Sequence, residues 1–146
     1  MSAVSYTFSP NTTIASAQVN DNFSQLSGEI LTTFAWTVTG TLTTGTSVSP
    51  ILIVPNNLTI IKAYAAVKTA PTGQAILIDI NIGGTSIWAS TQANRLTIAA
   101  SALTGTQTSF DTTALTDGGL LTVDLDQVGS ILPGESLTIE LKCEWS

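Results

Sequence analysis

The sequence predicts an all-β protein: an antiparallel two-sheet β-sandwich, jelly-roll-like, preceded by a short N-terminal arm and one α-helix. Three observations predict it. Apolar and polar residues alternate with period two from Phe34 almost to the end of the chain, as expected for strands with one buried and one solvated face. Turn signals rich in Gly, Pro and Asn divide that region into around eight short segments. The polar residues are mainly Thr, Ser, Asn and Gln, with charged residues only 10% of the chain against roughly 25% in ordinary globular domains. Thr-rich faces of this kind suit strands.

The arm, residues 1–10, has no periodicity, and Pro10-Asn11 reads as a turn. Residues 14–30 switch to helical spacing. Val19, Phe23, Leu26 and Ile30 recur at intervals of four, three and four, which places them on one stripe of a helix and matches a coiled-coil seam over about two heptads. Ser16, or else Thr13, is the expected N-cap. A lone helix of this length is marginal in water, so the stripe must pack on its own domain, on sister helices or on a partner. The division falls near residue 32, with an N-terminal arm and helix over 1–32 and a β-sandwich over 33–146.

Phe34, Trp36 and Val38 open the strand region on one face. A dense run over residues 48–54 contains Pro50, which marks an edge or a bulge. Pro55-Asn56-Asn57 turns into a strand with Ile61, Ala63, Ala65 and Val67 inward and Lys62, Tyr64 and Lys68 outward. After Ala70-Pro71-Thr72-Gly73, Ile76, Ile78, Ile80 and Ile82 form an inward row opposite Asp79 and Asn81. Gly83-Gly84 is a two-residue hairpin signal leading to a strand with Ile87 and Trp88. Leu96 and Ile98 mark a short strand, and residues 104–116 read as a polar loop anchored by Phe110 and Leu115. Leu121, Val123 and Leu125, then Leu137, Ile139, Leu141, Cys143 and Trp145, complete the inward rows. Eight strands fit two Greek keys and hence a jelly roll; an immunoglobulin-like sandwich satisfies the same pattern.

Composition excludes several functions. The net charge is −6, and the four basic residues, Lys62, Lys68, Arg95 and Lys142, form no cluster. Neither nucleic-acid phosphates nor an anionic membrane would find a cationic stripe. No apolar run reaches the roughly 20 residues of a membrane span, and residues 1–10 do not read as a signal peptide. The single cysteine, Cys143, shares its face with Leu141 and Trp145 and reads as a buried, inert thiol. The lack of a disulfide fits folding in a reducing cytosol.

No catalytic, metal or cofactor site is expected. The chain has no histidine, which removes histidine-based triads and metal sites, and it has no phosphate-cradling glycine motif. Asp124 and Asp126 share a strand face about 6.5–7 Å apart, a spacing open to glycoside hydrolysis or, with Asp117 or carbonyls, calcium. The plainer reading is two solvated carboxylates, and the same holds for Asp79 with Asn81. Tyr64 and Trp88 are the two aromatics left as candidate platforms for a sugar; burial against a neighbouring subunit accounts for them equally well.

The N-terminal segment carries a phrase: Phe8-Ser9-Pro10-Asn11-Thr12, then Gln18-Val19-Asn20-Asp21-Asn22-Phe23 and Leu26. It resembles the F-x-P/A-x-T … V-N-x-N-F-x-x-L opening of many tailed-bacteriophage virion proteins, among them tail fibres, head fibres and capsid-decoration proteins. The resemblance covers about thirty residues. Ala70-Pro71-Thr72-Gly73 followed by Ile78-Asp79-Ile80-Asn81, and Gln127-Val128-Gly129-Ser130 followed by Pro133-Gly134, look like phrases of phage β-sandwich modules. The resemblance implies a non-enzymatic structural protein of the virion surface, made in the bacterial host cytoplasm. It also implies a homotrimer and docking on a virion protein such as the major capsid protein. Phe8, Val19, Asn20, Asn22, Phe23, Leu26 and Ile30 become candidates for attachment or subunit packing. The short chain, without a shaft or repeats, points to a decoration protein or short head fibre; a host-glycan or receptor-binding module, possibly part of a tail fibre, is the alternative.

Overall fold

The structure is a computed structural model that describes residue 13, residues 15–27 and residues 30–146, the side chains of residues 24–27 excepted. The helix α1 spans Ser16–Ser27. Ten strands follow: β1 (Leu31–Thr41), β2 (Leu52–Ile53), β3 (Leu58–Thr69), β4 (Ile76–Ile82), β5 (Thr85–Ser86), β6 (Leu96–Ile98), β7 (Thr104–Gln107), β8 (Ala114–Leu115), β9 (Leu120–Gln127) and β10 (Glu135–Trp145). One sheet runs β1-β10-β3-β7, with β8 also on β3; the other runs β2-β9-β4-β5, with β6 also on β4. All pairings are antiparallel.

This order is a jelly roll. First pairs with last (β1 with β10), and moving inward β2 pairs with β9, β3 with β7 and β4 with β6. That is a long hairpin folded over itself, with β10-β3 and β9-β4 joining its halves into two sheets. An immunoglobulin-like order is thereby excluded.

The inward rows close the core between the sheets. Ile76, Ile78, Ile80, Leu121, Val123, Leu125, Leu137, Ile139, Leu141 and Cys143 are buried as their alternation requires, and Phe34 and Trp36 join them from β1. Burial pushes the Cys143 thiol up to about 12, so it carries no thiolate at neutral pH.

Four departures from the alternation have local causes. A bulge lies opposite Lys142 and Cys143: Lys142 pairs with Lys62, whereas Cys143 pairs with Ile60, leaving Ile61 as the extra residue. Ile60 therefore takes the inward place expected of Ile61. Trp145 shares the inward parity but sits on the last turn of pairing, beside Ile30, and is 38% exposed rather than core. The run over residues 48–54 is broken by Pro50, leaving the two-residue β2 plus isolated bonds from Gly45 and Val48 to β9. Residues 104–116 are not a plain loop. They hold two edge strands, the polar β7 and the two-residue β8, both too weakly patterned to give a period-two signal. Leu115 is buried and Phe110 packs on the core, as expected.

The helix begins at Ser16, so the expected cap is its first helical residue. Ala15, not Ser16 or Thr13, offers the first carbonyl, to the N–H groups of Gln18 (3.0 Å) and Val19 (3.4 Å). The Gln18 side chain reaches back to the Ala15 N–H at 3.4 Å, half of a capping box. No helix among the described residues is long and apolar enough to cross a membrane. The Gly83-Gly84 hairpin forms as expected, with φ of +57° and +82°, values that L side chains resist.

The sheets meet at the β6/β7 corner. A Cβ on Gly105 would lie 2.0 Å from the Thr97 carbonyl oxygen, so only glycine lets the two backbones approach this closely. Gly105→Ala must push backbone from backbone. It is expected to destabilise by about 1–3 kcal/mol or more, read as a lower urea midpoint, while Gly118→Ala, which meets nothing within 4 Å but has φ of +76°, should lose only about 1 kcal/mol.

Candidate functional site

The expected helix stripe is described at Val19, Phe23 and Ile30. Phe23 is 67% exposed, Ile30 is exposed and Val19 is half-buried. Asn20 is exposed and Asn22 half-buried. Phe8 and the side chain of Leu26 lie outside the described residues. The stripe continues onto the sandwich. The Trp145 N–H donates to the Ile30 carbonyl at 3.1 Å, and Leu31 and Trp145 are both exposed. Ile30 and Trp145 thus lie side by side at the start of β1, while Leu31, next along the strand, is exposed on the opposite face of the sheet.

The two aromatic candidates separate. Trp88 is fully buried. Its indole N–H donates to the Ser109 carbonyl at 2.7 Å, and its ring lies tilted 5.6 Å from Phe110. It is no sugar platform. Ile87 and Trp88, expected on a strand, lie instead in a turn after β5, where alternation does not apply, and both are buried. Tyr64 is half-buried on the outer face of the β1-β10-β3-β7 sheet. It lines a shallow groove of about 260 Å³ with Thr104, Thr106, Thr138 and Glu140. One face of its ring is taken by the Lys62 ammonium, 4.5 Å from the centroid.

All four residues of the two acidic pairs have partners; Asp126 stays exposed, as expected of a solvated carboxylate, and Asp124 is half-buried. Asp79 and Asn81, expected to face water, are buried at 7% and 8% exposure, because the segment after β5 folds back over their sheet. Asp79 accepts a hydrogen bond from the Ser86 hydroxyl at 2.6 Å. That hydroxyl also accepts from the Trp88 N–H and the Gln92 amide. Asp124, directly opposite Asp79, accepts from the Asn81 amide at 3.0 Å and the Ser47 N–H at 2.7 Å. Asp126 is the bulged residue of β9 and forms an ion pair with Arg95. A polar lattice therefore staples the covering segment to the sheet. Among the described residues no group of three or more His, Cys, Asp or Glu is placed to hold a metal ion.

Two apolar patches were not singled out from the sequence. At the end opposite the helix, Leu103, Ile131 and Leu132 are exposed, Ile131 at 76%. They sit on loops tied by backbone bonds: Thr72 N–H to Leu132 carbonyl (2.9 Å), Ile131 N–H to Thr72 carbonyl (3.1 Å) and Ser101 N–H to Pro71 carbonyl (2.7 Å). The aliphatic pair directly before Pro133, in a turn, was the available signal. Beside β2, Ile51, Ile53 and Leu120 are exposed together.

Two carboxylates couple the fold to pH with opposite sign. Burial, partly offset by the Ser86 hydrogen bond, raises Asp79 above its ordinary value. Its charge opposes folding, so its contribution falls as pH rises from the ordinary aspartate value through the raised one. Asp111 is held below its ordinary value by the Thr91 hydroxyl and the Thr91 and Ser90 N–H groups. Its contribution is present above that value and is lost as pH falls through the lowered one. Asp79→Asn is expected to raise Tm by a few degrees near pH 7 and to change it little near about pH 3. Asp111→Asn is expected to lower Tm near pH 7, again with the difference vanishing in acid; thermal scans across pH check both.

No protein-family profile matches the chain, and none of the curated proteins matches it. Among solved structures the fold is similar to a chain described as "Capsid of Ralstonia phage GP4", with a TM-score of 0.50 and 16% identity over 82% of this chain and 86% of that one.

Proposed function

We propose that this chain is a non-enzymatic structural protein of a tailed-phage virion, a capsid decoration protein or short head fibre. The observation that carries the proposal is the two-sheet fold shared with the phage capsid chain over most of both lengths. The Val19-Asn20-x-Asn22-Phe23 phrase supports it independently. So does the state of the carboxylates: Asp79, Asp124 and Asp126 all serve the fold through bonds to Ser86, Asn81, Ser47 and Arg95.

Residues 1–32 act as the attachment and subunit-packing segment in this reading, and 33–146 as the projecting sandwich. The exposed Phe23 and Ile30 supply an apolar stripe that association would bury, at roughly 1.5–3 kcal/mol for each large side chain. Packing of three such helices gives the homotrimer, and the major capsid protein is the docking partner. Contacts of this kind depend little on charge, so they persist as salt screens ion pairs.

Tyr64 supports a second reading, a host-glycan platform, because its ring borders a groove flanked by Thr hydroxyls and the Glu140 carboxylate. Glycan-array signal that vanishes in Tyr64→Ala would establish it; no signal from the full chain would end it.

Deleting residues 1–32 is expected to abolish co-sedimentation with capsids that lack this protein, while the circular dichroism of the sandwich is retained. Undiminished binding by the truncated chain would falsify the attachment role. Phe23→Asp is expected to weaken both particle binding and self-association at least tenfold, about 1.4 kcal/mol.

A further inference from the structure

A sheet edge is a row of unpaired N–H and C=O groups, and proteins normally blunt it with short strands, proline, charge or a covering segment. Three of the four edges in this sandwich are blunted. Beyond β3 the edge is split between the four-residue β7 and the two-residue β8. Beyond β4 it is split between the two-residue β5 and the three-residue β6. The edge at β2 is two residues long and lies between Pro50 and Pro55.

The fourth edge is β1. It is 11 residues long, with no charge and no proline, Leu-Thr-Thr-Phe-Ala-Trp-Thr-Val-Thr-Gly-Thr, and its pairing is regular from Leu31 to Val38, with a bulge only between Val38 and Thr41. Its free side follows from register. The Trp145 N–H donates to the Ile30 carbonyl, so Ile30 and Trp145 form a hydrogen-bonded pair. In an antiparallel ladder such pairs alternate, so Thr32, Phe34, Trp36 and Val38 bond to β10. The N–H and C=O groups of Leu31, Thr33, Ala35 and Thr37 therefore point away from the sheet. No described residue bonds to them, and the side chains of all four are exposed.

We propose that the β1 edge is a strand-addition site for a second copy of this chain, two β1 strands pairing antiparallel about a twofold axis near Ala35. Two features select a second copy. The edge is self-complementary, since an antiparallel twofold sets the same alternating donors and acceptors against themselves. It is also neutral: two copies carrying −6 each meet along a seam of Thr, Ala and Leu in which no like charges are opposed. The pairing joins two sheets into one continuous sheet and removes the long open edge. It uses a surface other than the helix stripe and does not depend on the virion reading.

Hydrogen exchange on the full chain, followed with light scattering over a concentration series, tests the proposal. At the lowest concentration, before β1 edges pair, the amides of Thr32, Phe34, Trp36 and Val38 should be protected, and those of Leu31, Thr33, Ala35 and Thr37 should exchange freely. As the dimer forms, the second set should slow at least tenfold with the rise in mass. Ala35→Pro removes an outward N–H without touching the β10 ladder, and Thr33→Lys with Thr37→Lys sets like charges across the seam. Both variants should keep the β10-facing protection and lose both the dimer and the added protection. Outward amides that stay unprotected at every concentration, whatever mass the chain reaches through its helix, overturn the proposal. So does a monomer whose outward amides are already slow, which would assign the edge to the chain's own residues 1–12. A dimer unaffected by either variant overturns it too.

Discussion

The sandwich depends on β10 finding its place between β1 and β3. It is the last strand of the chain and a central one in its sheet, and it joins segments roughly a hundred residues apart, such as Phe34 and Leu141. Until it docks, β1 has no partner among the described strands, and the inner row of Leu137, Ile139, Leu141 and Cys143 has no place to be buried. β9 does the same for the other sheet by separating β2 from β4. Loop-closure entropy must be met before either strand is rewarded, so such topologies fold slowly and as one cooperative unit. The small devices follow from this demand. The Ile61 and Asp126 bulges pin register in the two long pairings, and Gly105 lets the sheets meet at a corner.

The two outer faces are treated differently. On the β2-β9-β4 sheet the polar residues beneath the segment after β5 are satisfied one by one, and that cover hides Asp79 and Asn81. The outer face of the β1-β10-β3 sheet is open. Thr33, Ala35, Thr37, Thr138 and Ala66 lie exposed on it, around Tyr64 and Glu140. One face is consumed by the fold itself; the other is left for the surroundings, next to the long edge of β1.

The strands with one buried and one wet face were legible in the sequence, because period two is strong when both neighbours differ in polarity. The Ile76, Ile78, Ile80 row, the β10 row and the Gly83-Gly84 hairpin follow directly from it. What escaped was set by tertiary context. Nothing local marks Ile61 as the surplus residue of a bulge. Thr104-Gly105-Thr106-Gln107 has no apolar member, so its strand character comes only from pairing with Ala63 to Ala66. Asp79 reads as solvated until a distant segment folds over it, and Trp88 reads as half of an alternating pair until the chain turns there. The Ile131 and Leu132 tip carried a signal, apolar residues in a turn, that a search for polar chemistry passes over.

The bond from Trp145 to Ile30 has a geometric consequence for anything joined to this protein. It holds the end of the last strand beside the beginning of the first, and Ser146 is fastened there too, to Asn57 and Thr59. A cargo fused after Ser146 would emerge beside the start of the first strand, crowding whatever meets Ile30 and Leu31 there. The far pole, where Thr72, Ser101 and Ile131 lace three loops together, offers the opposite: a stiff platform, remote from the root, from which a grafted peptide would stand clear.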